Sequence, residues 1–153
     1  MDVIRYDKEL NRAHWDLLLE ADPWFEAVQK YLPPQNPQAE VFFIGHAHKP
    51  YALCVAVPIE DGLEIKNIAT RTIMRRQGMA SALINHVLLV AKQRGLAMVE
   101  IGTSTTSRDQ IRLYEKLGFK RDGILRGHFL SYPEPIIENG LLAKDMLMLQ
   151  YKF

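Results

Sequence analysis

The stretch Arg75-Arg76-Gln77-Gly78-Met79-Ala80 stands between a strand-like run, Leu63 to Ala69, and a long amphipathic helix, roughly Gly78 to Arg94. A chain built this way has to pass from a sheet strand into a covering helix at that point. The helix puts Met79, Leu83, Val87 and Ala91 on one stripe, widened by Ala80, Ile84, Leu88 and Val90, with Ser81, Asn85 and Lys92 opposite. Its start is also a place to hold an anion. Helix N-termini present free backbone N–H groups and a partial positive charge, and here a glycine and two arginines precede the first turn.

The rest of the chain reads as one domain, residues 1–153, long enough for a full hydrophobic core. Hydrophobic residues make up 48% and charged residues 24%, with a formal net charge of +1. That balance argues against a protein that coats nucleic acid or an anionic membrane. It leaves room for a local basic patch, which Arg71, Arg75 and Arg76 form. Cys54 is the only cysteine, so no internal disulfide can form. In the apolar run Tyr51 to Val57 it reads as a small buried hydrophobe in a reducing compartment. Met1 to Arg5 lacks the apolar core of a signal peptide, and runs such as Val87 to Ala91 are too short to span a bilayer. The expectation is a soluble, cytoplasmic protein.

In order, Val3 to Tyr6 reads as a strand and Lys8 to Glu20 as a helix with Leu10, Ala13, Leu17 and Leu18 on one face. Asp22-Pro23 reads as a helix start, Asp22 as N-cap and Pro23 in the first helical position, for a second helix reaching about Leu32. Pro33, Pro34 and Pro37 end it. Two strands, Glu40 to His46 and Tyr51 to Ile59, are close enough for a hairpin, and Asp61-Gly62 signals the turn into Leu63 to Ala69. After the long helix, Gly95 serves as C-cap and Ala97 to Ile101 is a central strand. Gly102 to Thr106 is a loop. Ser107-x-x-Gln110 fits a capping box for a helix that carries Ile111, Tyr114 and Leu117 and stops at Gly118. Phe119 to Leu130 is a strand with a bend near Gly123 or Gly127, Tyr132 to Pro135 a loop, and Lys144 to Tyr151 a last strand. Hairpins mixed with helical crossovers give a mixed α/β sheet.

No Gly-Lys-Ser/Thr triplet of a Walker loop occurs, and Gly78 lacks the partners of a dinucleotide fingerprint. The stretch does match R-x-x-G-x-A through Arg75, Gly78 and Ala80. A helix, a strand and a second helix follow, and the second helix ends Tyr114-Glu115-Lys116-Leu117-Gly118-Phe119. In this order and spacing the chain resembles the GNAT family of N-acetyltransferases over about Val3 to Tyr151, most strongly from Glu64 to Phe119. It is most similar to bacterial members with a Ser/Thr-rich loop before the tyrosine helix and an E-P-I-x-E-N-G segment, here Glu134 to Gly140.

The resemblance implies a mixed, mostly antiparallel sheet of about six or seven strands flanked by about four helices. It implies acetyl-CoA as donor, a primary amine on a small molecule or protein as acceptor, direct transfer, and no metal. Pantetheine would lie along Ile68, Ala69 and Thr70. The pyrophosphate would rest on Arg75, Arg76, Gln77, Gly78, Met79, Ala80 and Ser81. Arg75 and Arg76 would each add a charge-assisted hydrogen bond of roughly 1.5–3 kcal/mol where desolvated, or form only a solvated basic patch. Tyr114 is the candidate general acid for the leaving thiolate, or a core aromatic packed with Ile111 and Leu117. Glu64 is the candidate base, since an alkyl ammonium with a pKa near ~10.4 must lose a proton before it attacks. Its other reading is an edge-strand carboxylate paired with Lys66, with ordered water as the base. The family's usual asparagine seven residues before the tyrosine is Ser107 here, whose hydroxyl would cap the helix or bond the donor.

Trp24, Glu26, Glu134 and Glu138 are the candidates to hold a cationic acceptor, each against a plain surface or packing role. His46, His48 and His128 are spaced too loosely for a metal site. A member of the same fold that binds acyl-CoA as a sensor or scaffold without turnover is the alternative function. Exposed edge strands and a long last strand allow a homodimer.

Overall fold

A computed structural model describes residues 1–153. The strands are β1 (Ile4–Tyr6), β2 (Glu40–His46), β3 (Lys49–Ile59), β4 (Gly62–Thr70), β5 (Met98–Ser104), β6 (Lys120–Leu125), β7 (Ile137–Glu138), β8 (Leu141–Leu142) and β9 (Met146–Lys152). The helices are α1 (Arg12–Ala21), α2 (Phe25–Lys30), α3 (Met79–Gln93) and α4 (Arg108–Lys116). Seven strands form one sheet in the order β1-β2-β3-β4-β5-β9-β6, and β7-β8 is a separate small hairpin. Every pair in the large sheet is antiparallel except β4 with β5. That exception follows from connectivity: α3 carries the chain across the sheet and returns it in the same direction. The mixed, mostly antiparallel sheet with four helices expected from the sequence is present.

The sheet separates two hydrophobic cores. Phe42, Cys54, Leu63 and Ile65 meet α3 and α4 on one face, while Val41, Phe43, Leu53 and Val55 meet α1 and α2 on the other. β3 therefore reads as a continuous apolar run because both of its faces are covered. Leu83, Ile84 and Val87 of α3 are fully buried, each contributing about 1.5–3 kcal/mol by leaving water. Cys54 is buried as well, and burial pushes its thiol up to about 12.

A β-bulge in β4 matters most for the site. Val55 pairs with Asn67 and Ala56 with Ile65, so Lys66 is skipped in the ladder. One extra residue reverses the alternation of a strand. Leu63 and Ile65 lie in the core under α3, whereas Asn67 bonds to α1 and Ala69 belongs to the core under α1. The parallel pairing with β5 also stops here, its last pair being Ile65 with Ile101.

Several local expectations are corrected. α1 begins at Arg12, with Asn11 and His14 forming the capping box. Asp22 does not cap α2 and Pro23 is not its first residue: Trp24, in extended backbone, holds the N-cap position. Asp22 instead ends α1, its N–H donating to Leu18 O at 3.0 Å. β5 continues to Ser104, because β9 pairs with it along that whole length. Ser107 sits at the N-cap of α4 but makes no capping bond. The stretch after β6 bends into a short 3-10 turn, His128–Ser131, and β7-β8 was not anticipated.

Candidate active site

Beyond Ile65 and Ile101, β4 and β5 part. The edge of β4 that faces β5 is therefore unpaired from Lys66 to Thr70, with Ile68, Ala69 and Thr70 along it. A cavity of about 970 Å³ opens between the diverging strands. It reaches α3 on one side and the α1–α2 junction on the other, so it has two arms.

The first arm is made mainly of backbone. Gly78 sits at the N-cap of α3 with φ +80, and Arg76 has φ +64. A side chain at Gly78 would have only Met1 Cε within 4 Å, at 3.8 Å, so the left-handed backbone rather than crowding demands glycine here. The first intrahelical bond runs from Ala82 N–H to Gly78 O at 3.0 Å. From Arg76 to Ser81 no amide finds a backbone acceptor. This run of free N–H groups fits an anionic group. Arg75 is already engaged, donating to Glu20 and, at 3.3 Å, to Thr70 O. Arg75, Arg76, Gly78, Met79, Ala80 and Ser81 line the cavity; Gln77 does not, and its Nε2 lies 3.9 Å from Met74 Sδ.

Tyr114 and Glu64 both line the cavity. Tyr114 is buried in the core under α3, and burial first, then the charge of Glu138, raises its pKa above the usual phenol value. Its hydroxyl takes no hydrogen bond from the chain, yet is not sealed off: the one fully buried side-chain polar atom without a partner is Asn67 Oδ1. The phenol therefore opens to the cavity. Glu64 lies on a central strand, not an edge, with its carboxylate 3.7 Å from Lys66 Nζ. Burial raises its pKa from the ordinary 4.5, opposed by Lys66 and reinforced by Glu100. Ser107 makes no capping bond to α4. Its Oγ donates to Glu138, tying α4 to β7 across the cavity wall.

The second arm is made of side chains. Asp22 accepts hydrogen bonds from Tyr31 at 2.9 Å through Oδ2 and from Tyr132 through Oδ1. Asn67 Nδ2 donates to Tyr31 Oη at 2.9 Å and to Leu18 O at 3.0 Å. Trp24 packs edge-on against Tyr132 with ring centroids 5.0 Å apart, and Lys66 lies over the Tyr31 ring. His128 lines this arm too, its pKa lowered by burial and then by Lys66, with Asp22 opposing.

Residues 37–121 match the family model described as an acetyltransferase (GNAT) domain. The chain belongs to the GNAT acetyltransferase family. It is 34% identical to the uncharacterized N-acetyltransferase YvbK of Bacillus subtilis, over 95% of this chain and 93% of that one. A GNAT acetyltransferase from Elizabethkingia anophelis, solved with acetyl-CoA bound, superposes with a TM-score of 0.89 at 32% identity, covering 99% of this chain and 97% of its own. A Bacillus subtilis acetyltransferase solved with CoA gives 0.87 at 31%, covering 99% and 97%.

Among the GNAT acceptor candidates, only Glu138 lines the cavity. Trp24 supports it from behind Tyr132, while Glu26 and Glu134 are exposed away from it. Asp22, Tyr31, Asn67 and Tyr132 were missed. Asp22 was read as a cap because it precedes Pro23, and no spacing in the sequence joins it to a tyrosine 110 positions later. Among the residues of the chain no group of three or more His, Cys, Asp or Glu gathers as a metal site, and no helix is long and apolar enough to cross a membrane.

Proposed function

We propose that this GNAT acetyltransferase moves an acetyl group from acetyl-CoA directly to a primary amine inside the β4–β5 cavity. The observation that carries the reading is the continuity of the first arm. The unpaired edge of β4 runs into the free amides around Gly78, and Tyr114 and Glu64 open onto the same cavity. The solved relatives that hold acetyl-CoA and CoA support that donor.

Ile68, Ala69 and Thr70 would hold the pantetheine through strand-like hydrogen bonds. The amides of Gly78, Met79, Ala80 and Ser81 would hold the pyrophosphate, with Arg76 beside them. Arg75 shapes the loop through Glu20 and Thr70. Ser107 serves the wall through Glu138 rather than contacting the donor. The donor supplies a thioester, and the chain supplies orientation and two proton positions.

Glu64 takes the proton the ammonium must lose, directly or through water. Its raised pKa brings it nearer to working pH, where a base is most effective. Lys66 opposes that rise. As the amine nitrogen bonds the acetyl carbon and the carbon–sulfur bond breaks, Tyr114 donates its proton to the departing sulfur, and the proton then shed by the nitrogen returns the phenol to its neutral form through water. The raised pKa of Tyr114 keeps the phenol fully protonated until the sulfur departs. Acetylation of a protein amino group and a cytoplasmic setting fit the same chemistry. A homodimer is best sought at β6, an outer strand of the sheet on which Ile124 and Leu125 are exposed.

The test is thiol release from acetyl-CoA across a panel of primary amines. Amine-dependent release supports the reading. Tight acetyl-CoA binding without release for any amine contradicts it.

A further inference from the structure

We propose that the acceptor is a small amine with a second nitrogen that stays protonated, and that Asp22 holds this second nitrogen while the first is acetylated. The proposal rests on the acetyl-transfer reading above and concerns the arm of the cavity that reading leaves unassigned.

Asp22 is a carboxylate without a cation. None of the chain's ion pairs includes it, while Glu20, Glu40, Glu64 and Glu115 each have a basic partner. What Asp22 has instead are two phenol donors, one from the end of α2 and one from the strap after β6. Each oxygen accepts one hydrogen bond and keeps capacity for another. The two hydroxyls fix its direction without neutralising it. Aromatic walls surround it: Tyr31, Tyr132 and Phe129 all line the cavity. A carboxylate within aromatic faces suits an alkyl ammonium, through charge and through the ring quadrupoles.

A second observation is independent of Asp22. Asn67 lines the cavity, is only 4% exposed, and its Oδ1 has no donor. The amide cannot be turned round to cure this, because its oxygen would then face Leu18 O, another acceptor, in place of the Nδ2 donor that sits there at 3.0 Å. The arm therefore holds one unpaired charge, which an ammonium satisfies, beside a buried acceptor that the chain leaves without a donor.

Asp22 is the wrong group to hold the nitrogen that reacts. A carboxylate stabilises the ammonium form, and the reacting nitrogen must be neutral. Glu64, partly neutralised by Lys66, is suited to that nitrogen, and roughly 10 Å of strand separate it from Asn67. An acceptor with two nitrogens on a short alkyl spacer meets both ends. One nitrogen loses a proton to Glu64, gains the acetyl group and sheds a second proton that balances the one given to the sulfur; CoA leaves as the thiol, and the other nitrogen stays charged.

The experiment compares cadaverine with n-pentylamine, which differ by the second nitrogen alone. Wild-type kcat/KM should favour cadaverine by about tenfold or more. Asp22→Asn should erase that preference through KM for cadaverine, with the affinity for acetyl-CoA showing that the fold is kept. Tyr132→Phe, a milder change, should erode it in the same direction. Equal use of the two amines by the wild type, or an equal loss on both in Asp22→Asn, overturns the proposal. Absence of thiol release with either amine counts against the transfer reading instead. Calorimetry with the CoA-saturated protein then decides the cation site: cadaverine bound in preference to pentylamine, and lost in Asp22→Asn, upholds it, and no preference overturns it.

Discussion

The two arms of the cavity are built from different material. On the α3 side the groups that meet a ligand are backbone amides of one short segment, Arg76 to Ser81, and the free edge of β4. On the α1–α2 side they are side chains brought from positions 22, 31, 67 and 132, linked through hydrogen bonds. A backbone site is specified by conformation and tolerates many side chains. A side-chain site is specified by identities and can change its ligand with one substitution. The difference suits a protein whose donor is shared by a family and whose acceptor is its own.

The largest effect should come from removing the left-handed position that shapes the first arm. Gly78→Val forces a β-branched residue to φ near +80 and should weaken acetyl-CoA binding by about tenfold to a hundredfold. Calorimetry checks it. Unchanged affinity would break the comparison, because the first arm would then not depend on backbone conformation.

Tyr114→Phe should come next, lowering kcat by about a hundredfold while leaving acetyl-CoA affinity nearly as it was. A wild-type kcat would return Tyr114 to a packing role with Phe119, Leu83 and their neighbours. Glu64→Gln should lower kcat less, since water can carry the proton. Its clearer mark is the pH profile. Wild-type rate should climb with pH as Glu64 loses its proton, with a midpoint above the ordinary 4.5 because burial raises it. The variant should lose that limb.

The smallest expected effect lies outside both arms. Arg94 at the end of α3 forms a two-pronged pair with Glu40 of β2, one contact at 2.9 Å, and Arg5 adds a third contact at 3.5 Å. Arg94→Ala should cost about 1 kcal/mol of stability at neutral pH. The Arg94 hydrogen bond, opposed by burial, holds the Glu40 carboxyl below its usual value. A depressed carboxylate contributes stability above its unfolded pKa and loses it as pH falls through the folded one. The wild-type advantage over Arg94→Ala should therefore fade below about pH 4.5. Denaturation at several pH values checks this, and kcat/KM for both amines should not move.

Legibility in the sequence follows the same division. Strands β2 and β3, helix α3 and the tyrosine helix were visible because hydrophobic period and turn residues are local signals. The donor motif was visible because Arg75, Gly78 and Ala80 lie within six positions of one another. The bulge at Lys66 shows in the sequence only as a break in alternation, where Lys66 and Asn67 stand side by side; the register with β3 is needed to show that Asn67 has crossed to the α1 face. The Asp22 cluster was hidden for the same reason. Its members pair across 110 positions, and Asp-Pro is a strong local signal for a cap that the α1 terminus overrides. Ser107 shows the conflict in miniature: the capping pattern is present, but Glu138 takes the hydroxyl.

The most direct test mixes the purified protein with acetyl-CoA, with and without cadaverine, and follows free thiol through the first turnover. Direct transfer in the β4–β5 cavity predicts thiol release only when the amine is present, in step with its acetylation. A burst of thiol before any amine is added, or none after, would contradict it.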